Sequence, residues 1–400
     1  MSDTAADPRL LRAPPRKGIR LSWADERLRA IVWQVLVVGI VGSIIWWLAS
    51  NTVHNLEVRR IATGWGFLSR EAGLPVAESL IDYNPTDTYA RALMVGVLNT
   101  LKVAVLGIVL ATIFGTLLGI ARLSKNWLLS RLAGVYIEVV RDLPLLLQLL
   151  FWYVILQGLP GPRQALHPVE GVFLSNRGLK LPWIQWESAH TLALCAMVAG
   201  IVGTALYARF AHARQMADGQ PRRIWPVGLG LILGLPLLIW GVYGAPFQGD
   251  IPALRGFNFT GGLTITPEYF ALLIGLVMYT AAFIAEIVRA GVQAVPKGQW
   301  EAAEALGLQR GLVMRRIVLP QALRVIVPPM TSQYLNLTKN SSLAVAIGYQ
   351  DIVSISNTTL NQTGQAIEGI AIIMAVYLTI SLSISLFMNW YNARIALVER

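Results

Sequence analysis

Polar side chains crowd one stretch of an otherwise apolar sequence: Thr331, Ser332, Gln333, Tyr334, Asn336, Thr338, Lys339, Asn340, Ser341 and Ser342 follow each other closely. An ionisable group inside a bilayer costs at least about 2.5 to 3.5 kcal/mol, so such groups mark candidate pathways for polar solutes. In a helix Ser332, Asn336 and Lys339/Asn340 recur at i, i+4 and i+7/i+8 and share a face. Counted from Val325 at about 1.5 Å per residue, Lys339 lies about 21 Å across, and Lys102, counted from Leu93, comes to a similar depth. Two ammonium groups at one depth would suit a carboxylate. Alternatively, Lys102 snorkels to the external interface, and Lys339 pairs with a carboxylate on another helix or a partner chain. Asn99, Thr100 and Tyr279 belong to the same candidate set, although polar residues also hold membrane helices together.

A second constellation reads Glu301-Ala302-Ala303-Glu304-Ala305-Leu306-Gly307, nine residues, then Ile317-Val318-Leu319-Pro320. Gln299 to Leu306 is rich in helix formers, and Gly307 can end that helix in a left-handed conformation. Leu308 to Val318 then forms a second short helix, and Pro320, Pro328 and Pro329 end or kink the chain beyond it. The expected product is a helix-turn-helix with Arg310, Arg315 and Arg316 as a basic rim and Leu312, Val313, Ile317 and Leu319 as an apolar stripe.

Catalytic signatures are absent. His54, His167, His190 and His212 are scattered, and there is neither H-E-x-x-H nor a G-x-S-x-G elbow at a strand-helix turn. No catalytic residue and no metal site is expected. The single cysteine, Cys195, supports no disulfide and reads as a small buried apolar residue. Without G-x-x-x-x-G-K-[ST], the chain has no P-loop with which to hydrolyse ATP.

These residues need a membrane scaffold. The 400 residues are 55% hydrophobic and 14% charged, with mean hydropathy +0.55, against about 25% charged in a soluble domain. Apolar runs long enough to span about 30 Å occur at Ala30–Ala49, Leu93–Ala121, Val135–Leu159, Thr191–Phe210, Trp225–Ala245, Tyr269–Ile287, Val325–Ile347 and Ile370–Met388. The first is too long for a signal-peptide core and reads as an uncleaved span. With the N-terminus inside, the inner segments carry 21 Lys/Arg and the outer ones 8, so both termini are expected in the cytoplasm. That distribution accounts for the net charge of +11 without nucleic acid. The expected fold is an all-α polytopic membrane protein of about eight transmembrane helices, with the Glu301–Pro320 loop on the cytoplasmic face. Ser50 to Arg91 reads as an ordered external loop, and Gly115 and Gly119 permit a close helix contact. Two i, i+3 ion pairs are expected, Glu138 with Arg141 and Glu286 with Arg289.

In this context the E-A-A, Gly, I-x-L-P spacing resembles the permeases of binding-protein-dependent ATP-binding cassette importers. The resemblance implies a type I importer permease core and makes Glu301, Ala302, Ala303, Gly307, Ile317, Leu319 and Pro320 the coupling loop that docks on an ATPase. Tyr279 to Gly291 leading into Pro296–Glu301, with Asn99-Thr100-Leu101, Arg141-Asp142-Leu143-Pro144 and Lys339-Asn340-Ser341-Ser342-Leu343, is similar to the polar amino-acid permease family. Compact members have five spans, matching the second, third, sixth, seventh and eighth runs. The enlarged form resembles the general L-amino-acid transport permeases.

The resemblance implies import of L-amino acids over a broad range, or of acidic amino acids and their amides. It also implies a periplasmic substrate-binding protein, a second related permease subunit and a nucleotide-binding ATPase dimer that uses the ATP, this chain binding no cofactor. Localisation is expected in the bacterial inner membrane. The expected divisions are a tail 1–29, an extra span and external loop 30–92, a first core segment 93–159, an insertion 160–266 with its helix pair, and a second core segment 267–400 carrying the loop 289–320. An ion-coupled secondary amino-acid transporter is the alternative; it would require internal repeats and intramembrane carboxylates, of which the spans hold few.

Overall fold

The computed structural model describes residues 26–58, 63–220, 222–256 and 258–395. The basic tail up to residue 25 lies outside the described residues. Two compact units are present: the chain before Gly66 with Thr363–Gln365, and Gly66–Gln362 with the chain from Ala366 onward.

The first unit contains α1 (Glu26–Val58), a 33-residue apolar helix. In the second, Thr88 caps α2 (Tyr89–Arg122) by accepting from the Arg91 amide at 3.4 Å. Next come α3 (Trp127–Asp142) and α4 (Leu145–Gln157), which meet at a 105° bend. The third apolar run is therefore not one straight span, which corrects the sequence expectation. Pro144 forces Leu143 into an extended conformation (ψ 132°). The buried Gln148 amide then donates to the freed carbonyls of Val140 and Leu143 at 2.9 and 3.0 Å.

The insertion begins with β1 (Leu166–Val169), β2 (Val172–Ser175), β3 (Gly178–Leu181) and β4 (Trp183–Ile184), followed by α5 (Ser188–Asp218). The returning helix is α6 (Trp225–Leu229), a π turn over Gly230–Gly234, and α7 (Leu235–Val242). It packs against α5 so closely that a Cβ on Gly200 would overlap the Leu231 carbonyl oxygen. Four more strands follow: β5 (Gly249–Asp250), β6 (Ala253–Arg255), β7 (Asn258–Thr260) and β8 (Leu263–Ile265). One antiparallel sheet runs β1-β2-β3-β8, pairing Leu179 with Ile265; β4-β5 and β6-β7 form two-stranded ribbons. The all-α expectation is corrected here, since these short strands interrupt the helical pattern on both sides of the inserted pair.

The remaining helices are α8 (Pro267–Gln293), α9 (Lys297–Ala305), α10 (Arg310–Val313), α11 (Leu319–Asn340), α12 (Ile352–Thr363) and α13 (Ala366–Ile395). Among the described residues six helices are long and apolar enough to cross a membrane, or seven if the bent α3–α4 pair counts as one. The seventh expected span, Val325–Ile347, falls on α11 with the 3-10 turn Ser341–Ile347. Its 22 residues are long enough, but its polar face removes it from the apolar set.

Helix α2 is the central element. Gly115 lies against Ile284 and the Ala281 carbonyl of α8, and Gly119 against Val288 and the Ala285 carbonyl, with Cβ positions 2.7 to 2.9 Å from those atoms. Glycine is needed at both because part of the obstacle is backbone, which cannot rotate away. At the other end, Phe67, Ala72 and Leu74 of the segment before α2 form a core with Tyr89, Ala92, Leu93 and Ile352. The expected Ser50–Arg91 loop is corrected at its start, since the chain up to Val58 belongs to α1, while from Phe67 it packs into this core.

Candidate functional site

Helix α9 ends on a complete Schellman motif. Gly307 is left-handed at φ +68°; its amide donates to Glu304 O at 2.9 Å and the Leu308 amide to Ala303 O at 3.2 Å. The turn leaves Leu306 76% exposed at the tip, flanked by exposed Glu301, Ala302, Glu304 and Gly307. On the opposite side Ala303, Val313 and Val318 are buried in one core with Val288, Ala322 and Ile326 of the main helices. The stripe expected from sequence therefore divides: Val313 faces the core, Ile317 is partly buried, and Leu312 and Leu319 stay exposed. Arg310, Arg315 and Arg316 are exposed, as a basic rim requires.

The second arm departs from the expected short helix stopped at Pro320. From Arg310 the chain continues through α10 and a π turn, Met314–Val318, straight into α11. Pro320 has no N–H and its ring would press on the preceding turn of an α-helix. The wider turn, closed by the Leu319 amide donating to Met314 O, accommodates it. Pro328 and Pro329 likewise lie inside α11 without ending it.

The pathway candidates fall on two surfaces. Ser332, Asn336 and Lys339 are exposed on one face of α11, and Lys339 makes no ion pair among the described residues. Asn340 is half-buried, and Ser341 is buried with its hydroxyl donating to Thr338 O at 2.7 Å. Tyr279 stacks on Phe283 at 5.0 Å between centroids. Asn99, Thr100 and Lys102 do something else. Asn99 Nδ2 donates to Glu78 O and Gln350 O, both at 2.9 Å, and Thr100 Oγ1 accepts from the Ile352 amide at 3.1 Å. Lys102 pairs with Glu78 at 3.0 Å, its ammonium 4.0 Å from the Tyr269 ring centroid. Asn99 and Lys102, together with Gln350, which bonds Ala77 N and Pro75 O, clamp the segment Pro75–Glu78 onto α2.

Sequence reasoning missed Glu78 and Gln350. Both sit in irregular segments with no periodic pattern to mark them. Burial raises the Glu78 carboxyl above its ordinary value, opposed by the Lys102 ammonium. Burial also pushes Asp351, whose side chain caps α12 through the Ser354 amide, up to about 7. We expect Lys102→Met to destabilise the chain by about 2 kcal/mol, since a partly buried carboxylate loses its counter-charge. The double variant Glu78→Gln/Lys102→Met should recover most of it; thermal unfolding in detergent measures both.

The expected Glu138–Arg141 pair does not form. Glu138 instead reaches Arg122 of α2 at 3.4 Å, and Arg141 lies over the Phe283 ring at 5.0 Å. Cross-helix partners outcompete the weak i, i+3 contact here. Glu286 and Arg289 do pair, Arg289 Nε lying 2.9 Å from Glu286 Oε2. Cys195 is exposed rather than buried, which corrects that expectation.

The family described as binding-protein-dependent transport system inner membrane component matches residues 229–397. The putative amino-acid ABC transporter permease YhdX of Escherichia coli is 54% identical over 382 residues, 95% of this chain and 97% of that protein. The general L-amino acid transport system permease AapQ of Rhizobium johnstonii is 50% identical over 385 residues, 96% of each. The glutamate/glutamine/aspartate/asparagine transport system permease BztB of Rhodobacter capsulatus is 43% identical over 423 aligned positions, 97% of this chain and 99% of that one.

Proposed function

Because the chain belongs to the binding-protein-dependent transport system inner membrane components, and among them to the amino-acid ABC transporter permeases, we propose that it imports L-amino acids over a broad range. The second reading is a narrower range, acidic amino acids and their amides. It is a multi-pass membrane protein and a transport component. On this reading it crosses a bacterial inner membrane eight times with both termini in the cytoplasm. Substrate arrives on a periplasmic binding protein, and a second, related permease completes the path.

The observation that carries this reading is the α9 turn. An exposed, sharply closed tip rests on buried Ala303, Val313 and Val318, so a push on the tip is passed to α8 and α11 rather than absorbed locally. A separate ATPase dimer docked there supplies the energy, and ATP is used by that partner while this chain holds no cofactor. Its nucleotide state can shift the permease only through contacts that differ between the two states, and the loop is where they are made. Ser332, Asn336 and Lys339 face the path, and Lys339 supplies positive charge to a substrate carboxylate.

Co-purification of an ATP-hydrolysing subunit with the tagged chain tests the docking. In the reconstituted complex, Lys339→Met should lower amino-acid uptake about tenfold, the value of one charged hydrogen bond, with assembly unchanged. Uptake equal to the parent's would refute the role of Lys339.

A further inference from the structure

A cavity of about 410 Å³ opens beside the N-terminal ends of α2 and α8, lined by Glu78, Asn99, Thr266, Glu268, Tyr349 and Gln350 among others. Its size lies in the range of small-molecule sites. Two lining side chains carry polar atoms with no partner despite near-complete burial: Asn99 Oδ1, on a residue 0% exposed, and the Tyr349 hydroxyl, on a residue 2% exposed. Buried polar atoms are ordinarily satisfied, and these two are not.

The lining has acceptors to spare and few donors. Asn99 Nδ2 and both ends of the Gln350 amide are already committed to main-chain partners. Glu78 uses Oε1 for Lys102 and holds only the Thr266 hydroxyl, at 3.4 Å, on Oε2. Glu268 accepts from the Tyr153 hydroxyl at 3.3 Å and has capacity left. Two carboxylates face a single ammonium, that of Lys102, leaving one excess negative charge. The part of a ligand that meets these oxygens needs positive charge and several donors. A primary ammonium, with three N–H bonds, is that group. Among the described residues no set of three His, Cys, Asp or Glu could hold a metal ion.

We propose that this cavity binds the α-ammonium group of an amino acid, forming a station at the outer mouth of the path. The assignment to a transported amino acid rests on the function proposed above; the ammonium chemistry rests on the lining alone. Burial raises the Glu78 carboxyl above its ordinary value, a cost that a ligand ammonium beside it would offset.

The test uses the full chain in lipid nanodiscs, with glycine, methylamine and N-acetylglycine as probes and ligand-detected NMR as readout. Glycine and methylamine should bind saturably and compete, and N-acetylglycine, which lacks the ammonium, should not bind. Tyr349→Phe and Glu268→Gln should each weaken glycine about tenfold. Tyr349→Phe removes a hydroxyl that bonds nothing in the protein, so its unfolding temperature should hold or rise. A weakened affinity then reports a lost ligand contact and not a damaged fold. Absence of saturable binding, equal binding of N-acetylglycine, or parental affinity in either variant would overturn the proposal. None of these assays needs ATP or a binding protein, so failure here leaves the transport reading to its own uptake test.

Discussion

Gly115→Val and Gly119→Leu are each expected to remove nearly all folded chain from the membrane fraction. A Cβ at Gly115 would lie 2.7 Å from the Ile284 side chain and 2.8 Å from the Ala281 carbonyl oxygen; one at Gly119 would lie 2.8 Å from both the Ala285 carbonyl and Val288. Overpacking a core ordinarily costs about 1 to 3 kcal/mol, because neighbours shift into poor rotamers. Here part of the obstacle is helix backbone, so α2 and α8 must separate, and their contact is the centre of the second unit. The expected loss exceeds that range. Size-exclusion profiles of fluorescently tagged protein in mild detergent would read it. Gly298→Ala is the control: nothing lies within 4 Å of that position, and alanine favours the helix by about 1 kcal/mol. A monodisperse peak of parental height for Gly115→Val would show that the helices are not packed as described.

Gly307→Val is expected to uncouple transport while leaving the chain inserted. A β-branched residue held at φ +68° is strained by about 1 to 2 kcal/mol. The cheaper course is to open the Schellman turn and redirect Leu306. Because the tip is exposed and the core beneath it rests on Ala303, Val313 and Val318, folding should tolerate the change better than docking does. Amino-acid-stimulated ATP hydrolysis and uptake in the reconstituted complex should fall at least about tenfold, the equivalent of 1.4 kcal/mol. Gly307→Asn should retain most of both, since asparagine visits the left-handed region readily. Equal activity of the valine variant would remove the turn from the coupling mechanism.

Both glycine features were legible in the sequence for a common reason: they are encoded by neighbours in the chain. The α9 turn needs a helix-forming run followed by one left-handed residue, and the α2 contact needs small residues four apart. The break at Leu143–Pro144 was also written locally. A hydropathy run from Val135 to Leu159 averages across it, and the Gln148 side chain that stabilises the bend declares itself only in three dimensions.

Less local features were hidden. Lys102 could be recognised as an expensive charge, yet its partner Glu78 lies in an irregular segment before α2, so nothing in the spacing could join them. The same gap concealed the clamp made by Asn99 and Gln350. Glu138 was assigned a neighbour on its own helix because i, i+3 is what a linear pattern offers, whereas its partner, Arg122, belongs to α2. The short strands of the insertion escaped because runs of two to four residues carry too little alternation to stand out. Helix continuity through Pro320, Pro328 and Pro329 was misjudged for another reason. Proline removes a donor, but a widened turn before it, or the packing around a long helix, can absorb that loss.

The π turn at Met314–Val318 does more than seat a proline. One residue in an α-helix is about 100° of rotation and 1.5 Å of rise. The extra residue in that turn therefore acts as an indexing step between α10 and α11. It fixes the compass bearing of Ser332, Asn336 and Lys339 relative to Arg310 while barely altering the distance between them. Loop and polar face thus share one shaft, and their mutual angle is set by a single residue of slack in its winding.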